Sequence, residues 1–122
     1  MIIPMDTSKI DAIWQKALSI NGLDNSLIRA DVCGAIIMRQ FYGDRNSDFG
    51  WEIDHILPVA KGGDEQLINL RPMHWKNVIA KGDDYPYYFT AMRADGKINK
   101  PYERQIRVND KLQKRLEEVY GK

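Results

Sequence analysis

One cysteine, Cys33, is all the chain carries in 122 residues, so it can form neither an intramolecular disulfide nor a cysteine-rich zinc site. It also lacks any apolar run near the ~18 residues that a membrane-spanning helix requires, and no membrane partner is expected. Repeats and low-complexity segments are absent. The opening Met1-Ile-Ile-Pro-Met-Asp6 has neither the basic start nor the long apolar stretch of a secretory signal, which makes a cytoplasmic location, bacterial or phage-encoded, the expectation. An excess of one charge is missing as well, since 18 Lys+Arg against 17 Asp+Glu leave a net +1. The charge is uneven all the same. Residues 1–60 hold 5 basic and 8 acidic side chains, residues 61–122 hold 13 and 9, so the second half is the one suited to a phosphate backbone.

What is present is the composition of an ordinary globular protein, 43% hydrophobic and 29% charged. A single domain spanning 1–122 would bury roughly two thirds of its unfolded surface. Asp6 or Thr7 can cap a helix with Ile10, Ile13, Trp14, Ala17 and Leu18 on one face, stopped by Asn21-Gly22. A second short helix is expected from Asn25 or Ser26 to Asp31, then a strand or buried helical turn within Cys33–Tyr42. A loop rich in turn residues covers Gly43–Gly50. Trp51–Ile56 reads as a strand ended by Pro58, Lys61-Gly-Gly-Asp64 as a turn, Leu67–Met73 as including a second strand, and His74–Lys81 as a two-turn helix stopped by Gly82. Asp95-Gly96 marks a hairpin within Tyr88–Asn99. A last helix, Asn109–Tyr120, places Leu112, Leu116 and Val119 on one face.

The ordered set Asp54-His55-Ile-Leu-Pro58, Gly62-Gly63, Asn69-Leu-Arg-Pro72 and Lys81-Gly-Asp83, with fourteen residues from His55 to Asn69, resembles the His-Asn-His (HNH) endonuclease family. The resemblance covers about residues 50–84, with a looser similarity through Arg29-Ala-Asp31-Val-Cys33-Gly-Ala and Tyr42-Gly. It implies an α+β fold built on a ββα-metal finger, flanked here by the N-terminal helix and the C-terminal hairpin plus helix. It further implies hydrolysis of DNA phosphodiesters with one divalent ion, Mg²⁺ or Mn²⁺. Such an ion polarises the phosphate and neutralises the departing alkoxide, while a histidine takes the proton from water.

On this resemblance His55 is the general base and Asp54 a metal ligand. Asn69 bridges backbone groups across the long loop and so orients the base. Arg71, Lys76 and Lys81 hold phosphates, and Arg93, Lys97, Lys100, Arg104 and Arg107, interleaved with Tyr102, could track the backbone. The family's third motif residue, a histidine or asparagine nine positions after the middle asparagine, falls on Val78, which cannot ligate Mg²⁺. Asn77, His74 or, less favourably, Asp83 could replace it, or the site is degenerate. Many relatives brace the finger with two cysteine pairs on a structural zinc; here the positions of the second pair read His74 and Asn77 and only Cys33 remains upstream, leaving packing by Trp51, Leu70, Trp75 and Val78 to hold the finger. DNA is the implied partner. Cutting both strands implies a homodimer or two encounters, an effector role would imply an immunity protein, and a catalytically silent module that binds nucleic acid or a protein is the alternative.

Overall fold

A computed structural model describes residues 6–121, and the reading of Met1 to Met5 as part of a non-signal leader lies outside them. The first helix begins where Asp6 accepts a hydrogen bond from the Lys9 amide at 3.0 Å, the side-chain cap that frees a helix start from unpaired donors. This helix, α1 (Thr7–Trp14), buries Ile10, Ile13 and Trp14. It is shorter than its apolar periodicity predicts. The Arg29 guanidinium takes the carbonyls of Ala17 (3.0 Å) and Gln15 (3.4 Å), acceptors that further helical turns would need. The chain turns instead into β1 (Leu18–Ser19), leaving Leu18 58% exposed rather than in the core.

The helix expected over residues 25–31 is replaced by a turn and a strand. Asp24 accepts from both the amide and the hydroxyl of Ser26, at 2.9 and 2.7 Å, a local bond that competes with helix formation. Next, β2 (Ile28–Ala30) pairs antiparallel with β1 on one side and with β3 (Ile36–Met38) on the other. The ambiguous apolar segment from Cys33 therefore becomes a strand followed by a single 3-10 turn at Arg39–Phe41.

At the centre, β4 (Trp51–His55) and β5 (Leu70–His74) pair antiparallel from Trp51 opposite His74 to His55 opposite Leu70. Strand β5 lies within the segment expected to include it but runs on past Pro72 to His74, and Leu67–Asn69 before it is a 3-10 turn. The helix α2 (Trp75–Lys81) follows β5 directly, with the His74 ring as its cap, Nδ1 accepting from the Lys76 amide at 3.0 Å. Beyond it, β6 (Tyr87–Phe89) pairs with β9 (Gln105–Arg107) around the hairpin β7 (Met92–Asp95) and β8 (Ile98–Pro101), whose two-residue turn is Gly96-Lys97, one residue later than the expected Asp95-Gly96, because Asp95 still pairs with Ile98. The last helix, α3 (Asp110–Tyr120), is capped by Asn109 and buries Leu116, while Val119 stays exposed.

The result is an α+β architecture of three helices and four small antiparallel sheets among the described residues. The β4–β5 ladder lies between two apolar clusters. Trp51 and Leu70 join Ile10, Ile13, Trp14 and Ile37, while Met73 belongs with Ile56, Leu57, Tyr88, Val108 and Leu116. Val78 packs against the second cluster and is partly buried. Both faces of the ladder are thus covered by packing. Among the described residues no helix is long and apolar enough to cross a membrane.

Candidate active site

His55 closes β4, and its side chain is 28% exposed. Its Nε2 lies 2.5 Å from Oε1 of Glu65, a residue in the loop between β4 and β5. A carboxylate accepts, so Nε2 carries the hydrogen of this contact. The loop that presents Glu65 is tied down by Asn69. The Asn69 Oδ1 accepts from the Leu57 amide at 2.8 Å, and its Nδ2 donates to the carbonyls of Leu57 (2.9 Å) and Asp64 (3.1 Å). One buried amide therefore bridges Leu57, two residues past the strand that carries His55, to Asp64 on the far side of the loop. Two glycines allow so close an approach. Gly62 has φ of 104°, and a Cβ on Gly63 would sit 1.8 Å from the Leu57 carbonyl oxygen and 2.7 Å from the Asn69 amide nitrogen.

Asp54, the residue before His55, points inward and is 4% exposed. Arg71, opposite it in the ladder, donates from Nε to its Oδ2 at 2.8 Å, and the Lys81 ammonium stands 3.3 Å from its Oδ1. Arg71 also donates to the Tyr88 hydroxyl at 3.0 Å. Lys81 donates to the carbonyls of His55 (3.0 Å) and Ile56 (3.2 Å). Burial pulls the Lys81 ammonium below the usual lysine range, and Asp54 works against that pull. Burial also pushes the Tyr88 phenol up to about 12. Arg71 and Lys81 are 8% and 1% exposed, which corrects their expected placement as phosphate contacts. A buried carboxylate needs opposite charge beside it, and these two side chains supply it. Of the three expected phosphate contacts only Lys76 keeps access to solvent, its ammonium 5.2 Å from the Trp75 ring centre.

The two leading replacements for the missing ligand, His74 and Asn77, gather around a different carboxylate. Asp31 Oδ2 accepts from the His74 amide (2.9 Å) and from Asn77 Nδ2 (3.1 Å), and Oδ1 accepts from the Ala35 amide (2.8 Å). Asn77 Oδ1 accepts from the amides of Ala91 (2.7 Å) and Met92 (2.8 Å), while Nδ2 also reaches the Met92 carbonyl. The His74 ring caps α2 through Nδ1 and donates from Nε2 to the Asp48 carbonyl at 2.8 Å. Every polar atom of both side chains is committed. Burial raises the Asp31 carboxyl against the pull of its donors, and burial lowers His74. The further candidate, Asp83, is exposed beyond the end of α2.

These residues, as arranged, do not fit the divalent ion that the resemblance implies. Asp54 has both oxygens engaged by protein cations, Val78 has no donor atom, and the oxygens and nitrogens of His74 and Asn77 are used elsewhere. Two participants carry no obvious mark in the sequence. Glu65 could have been noticed as a carboxylate ten residues past His55 in the same loop. Asp31 lies 43 residues before His74, and no local pattern signals that it braces α2.

The second basic cluster is on the surface but partly engaged. Arg93 stacks 5.0 Å over Tyr102, Lys100 pairs with Asp95 at 3.0 Å, and Arg107 pairs with Asp110 at 2.7 Å. Neither the family models, nor the curated proteins, nor the solved structures contain a match to this chain.

Proposed function

We propose that this chain is an endonuclease domain of the ββα-finger kind, β4–β5–α2 forming the finger, that hydrolyses DNA phosphodiesters with little sequence specificity. The observation that carries the reading is the partly exposed His55 at the end of β4, paired with Glu65 on a loop that Asn69 anchors. In this reading a water donates its proton to Nδ1 of His55 as its oxygen attacks phosphorus. The bond from phosphorus to the 3′ oxygen breaks, and that oxygen leaves with the electron pair and takes a proton from solvent. Glu65 accepts from Nε2–H and steadies the imidazolium as it forms, a positioning task. Positive charge at the departing oxygen is what this arrangement supplies least, since Arg71 and Lys81 face Asp54. Hydrolysis is accordingly slow. Lys76 is the basic side chain on the finger helix that reaches solvent and can meet a phosphate.

A second reading, a non-catalytic module on the same scaffold that binds nucleic acid or a protein partner, is favoured by the neutralised Asp54 and by Val78. Nicking of supercoiled plasmid in Mg²⁺, Mn²⁺ or EDTA separates the two. Slow nicking by the wild type that drops at least tenfold in His55→Ala supports the enzyme. A wild type that stays inert in all three conditions, or nicking that His55→Ala leaves untouched, overturns it in favour of the module.

A further inference from the structure

Three oxygens converge on the Lys81 ammonium, Asp54 Oδ1 at 3.3 Å and the main-chain oxygens of His55 and Ile56 at 3.0 and 3.2 Å. All are hard donors of the sort that hold magnesium, manganese or calcium, with no nitrogen or sulfur among them. The Tyr88 ring adds its negative face 5.7 Å from the same ammonium. We propose that this is an oxygen-lined cation pocket whose resident cation is Lys81 itself, and that it admits a divalent ion only when Lys81 is removed. The proposal deepens the reading above by naming what holds the cation position beside the base, and it stands or falls separately.

Lys81 lies three residues after Val78, so the two share one face of α2. Val78 offers no ligand, and the last turn of the helix delivers an ammonium instead. The distances of 3.0 to 3.3 Å are those of N–H donors to oxygen, well beyond the ~2.0 to 2.6 Å of magnesium or calcium to oxygen. Arg71 already occupies the other oxygen of Asp54. With both protein cations present, a divalent ion would face two positive neighbours and share one carboxylate with them. Shortening Lys81 leaves the three oxygens and a vacated channel that water can fill, and magnesium retains several waters in its sites.

The test uses Tb³⁺, a hard-cation probe, on the full chain, with luminescence sensitised through Tyr88. The wild type, Lys81→Ala and the milder Lys81→Gln are compared, each also in a Tyr88→Phe background to isolate emission from this pocket. Expected is a dark wild type and at least tenfold stronger Tyr88-dependent emission in Lys81→Ala, competed away by Mn²⁺ or Ca²⁺ and abolished by adding Asp54→Asn. Tyr88-dependent emission from the wild type would overturn the proposal, because the ion would then be displacing the lysine. Folded Lys81→Ala and Lys81→Gln that both stay dark would overturn it equally. Should neither variant fold, the wild-type titration decides alone, emission against the proposal and darkness for it. No substrate is present in this assay, so its outcome is independent of nicking.

Discussion

Asp31 and Asp54 are both buried carboxylates, and the chain neutralises them by opposite means. Asp54 meets two cations, whereas Asp31 is surrounded by neutral donors, the amides of Ala35 and His74 and the Asn77 side chain. Replacing Asp31 with alanine strands those three buried donors, each costing about 1–3 kcal/mol. Asp31→Ala should therefore lose about 3 kcal/mol or more in urea unfolding, and a loss below about 1 kcal/mol would show that water replaces the carboxylate. His74, beside it, is held neutral by burial, so its folded value lies below the ordinary 6.5. Above that value neither state takes up a proton at this site and its contribution is fully present. As pH falls below it, the unfolded chain binds a proton first, and stability is lost until the folded value is reached. Asp31, raised by burial, pulls the other way at lower pH, so the informative quantity is a difference. His74→Asn keeps a cap for α2 and cannot charge. The stability advantage of wild type over His74→Asn should shrink as melts are moved from pH 7.5 toward 5, and a constant gap would rule out the buried-neutral assignment.

At the scale of elements, the loop between β4 and β5 is where sequence and structure agree most closely. The family resemblance implies that the Asn69 amide bridges backbone groups across this loop, and that amide does bridge Leu57 to Asp64. Gly63→Ala drives a Cβ into the Leu57 carbonyl, a main-chain atom that cannot step aside, and Asn69→Ala leaves the Leu57 amide and carbonyl unpaired. Each should cost about 2–4 kcal/mol in thermal or urea unfolding. Because both break the same bridge, the double variant should cost clearly less than the two losses combined. Full additivity would mean that the glycine and the asparagine act on separate features. Of the short sheet β1–β2–β3, the strand within Cys33–Tyr42 was one of two readings, but β1 and β2 were not legible, because two- and three-residue strands carry too little alternation to outweigh an apparent helical period. Nor was the pairing of Tyr87–Phe89 with Gln105–Arg107, which closes around a hairpin and depends on distant partners. Arg71 and Lys81 were misplaced for a related reason. A basic residue next to a motif looks the same in sequence whether it faces a phosphate or a buried carboxylate, and only the tertiary position of Asp54 decides.

On the whole molecule, the excess of basic residues after residue 60 is smaller in effect than in count. Arg71 and Lys81 spend their charge on Asp54, Lys100 on Asp95 and Arg107 on Asp110. What remains for a polyanion near the C-terminal hairpin is Arg93, stacked on Tyr102, with Lys97 at the tip and Arg104 just beyond it, all exposed and absent from the ion pairs among the described residues. Binding that rests on phosphate neutralisation weakens with salt in proportion to the contacts made, roughly 0.9 in logarithmic slope for each on duplex DNA. If this surface meets DNA, Lys97→Ala with Arg104→Ala should flatten the salt dependence of binding by about 1.8, whatever the sequence of the duplex, and leave the melting temperature nearly unchanged. Lys100→Ala alone should flatten it less, because Asp95 already claims that ammonium. An unaltered slope in the double variant would place the DNA elsewhere, with Lys76 on α2 the next position to substitute.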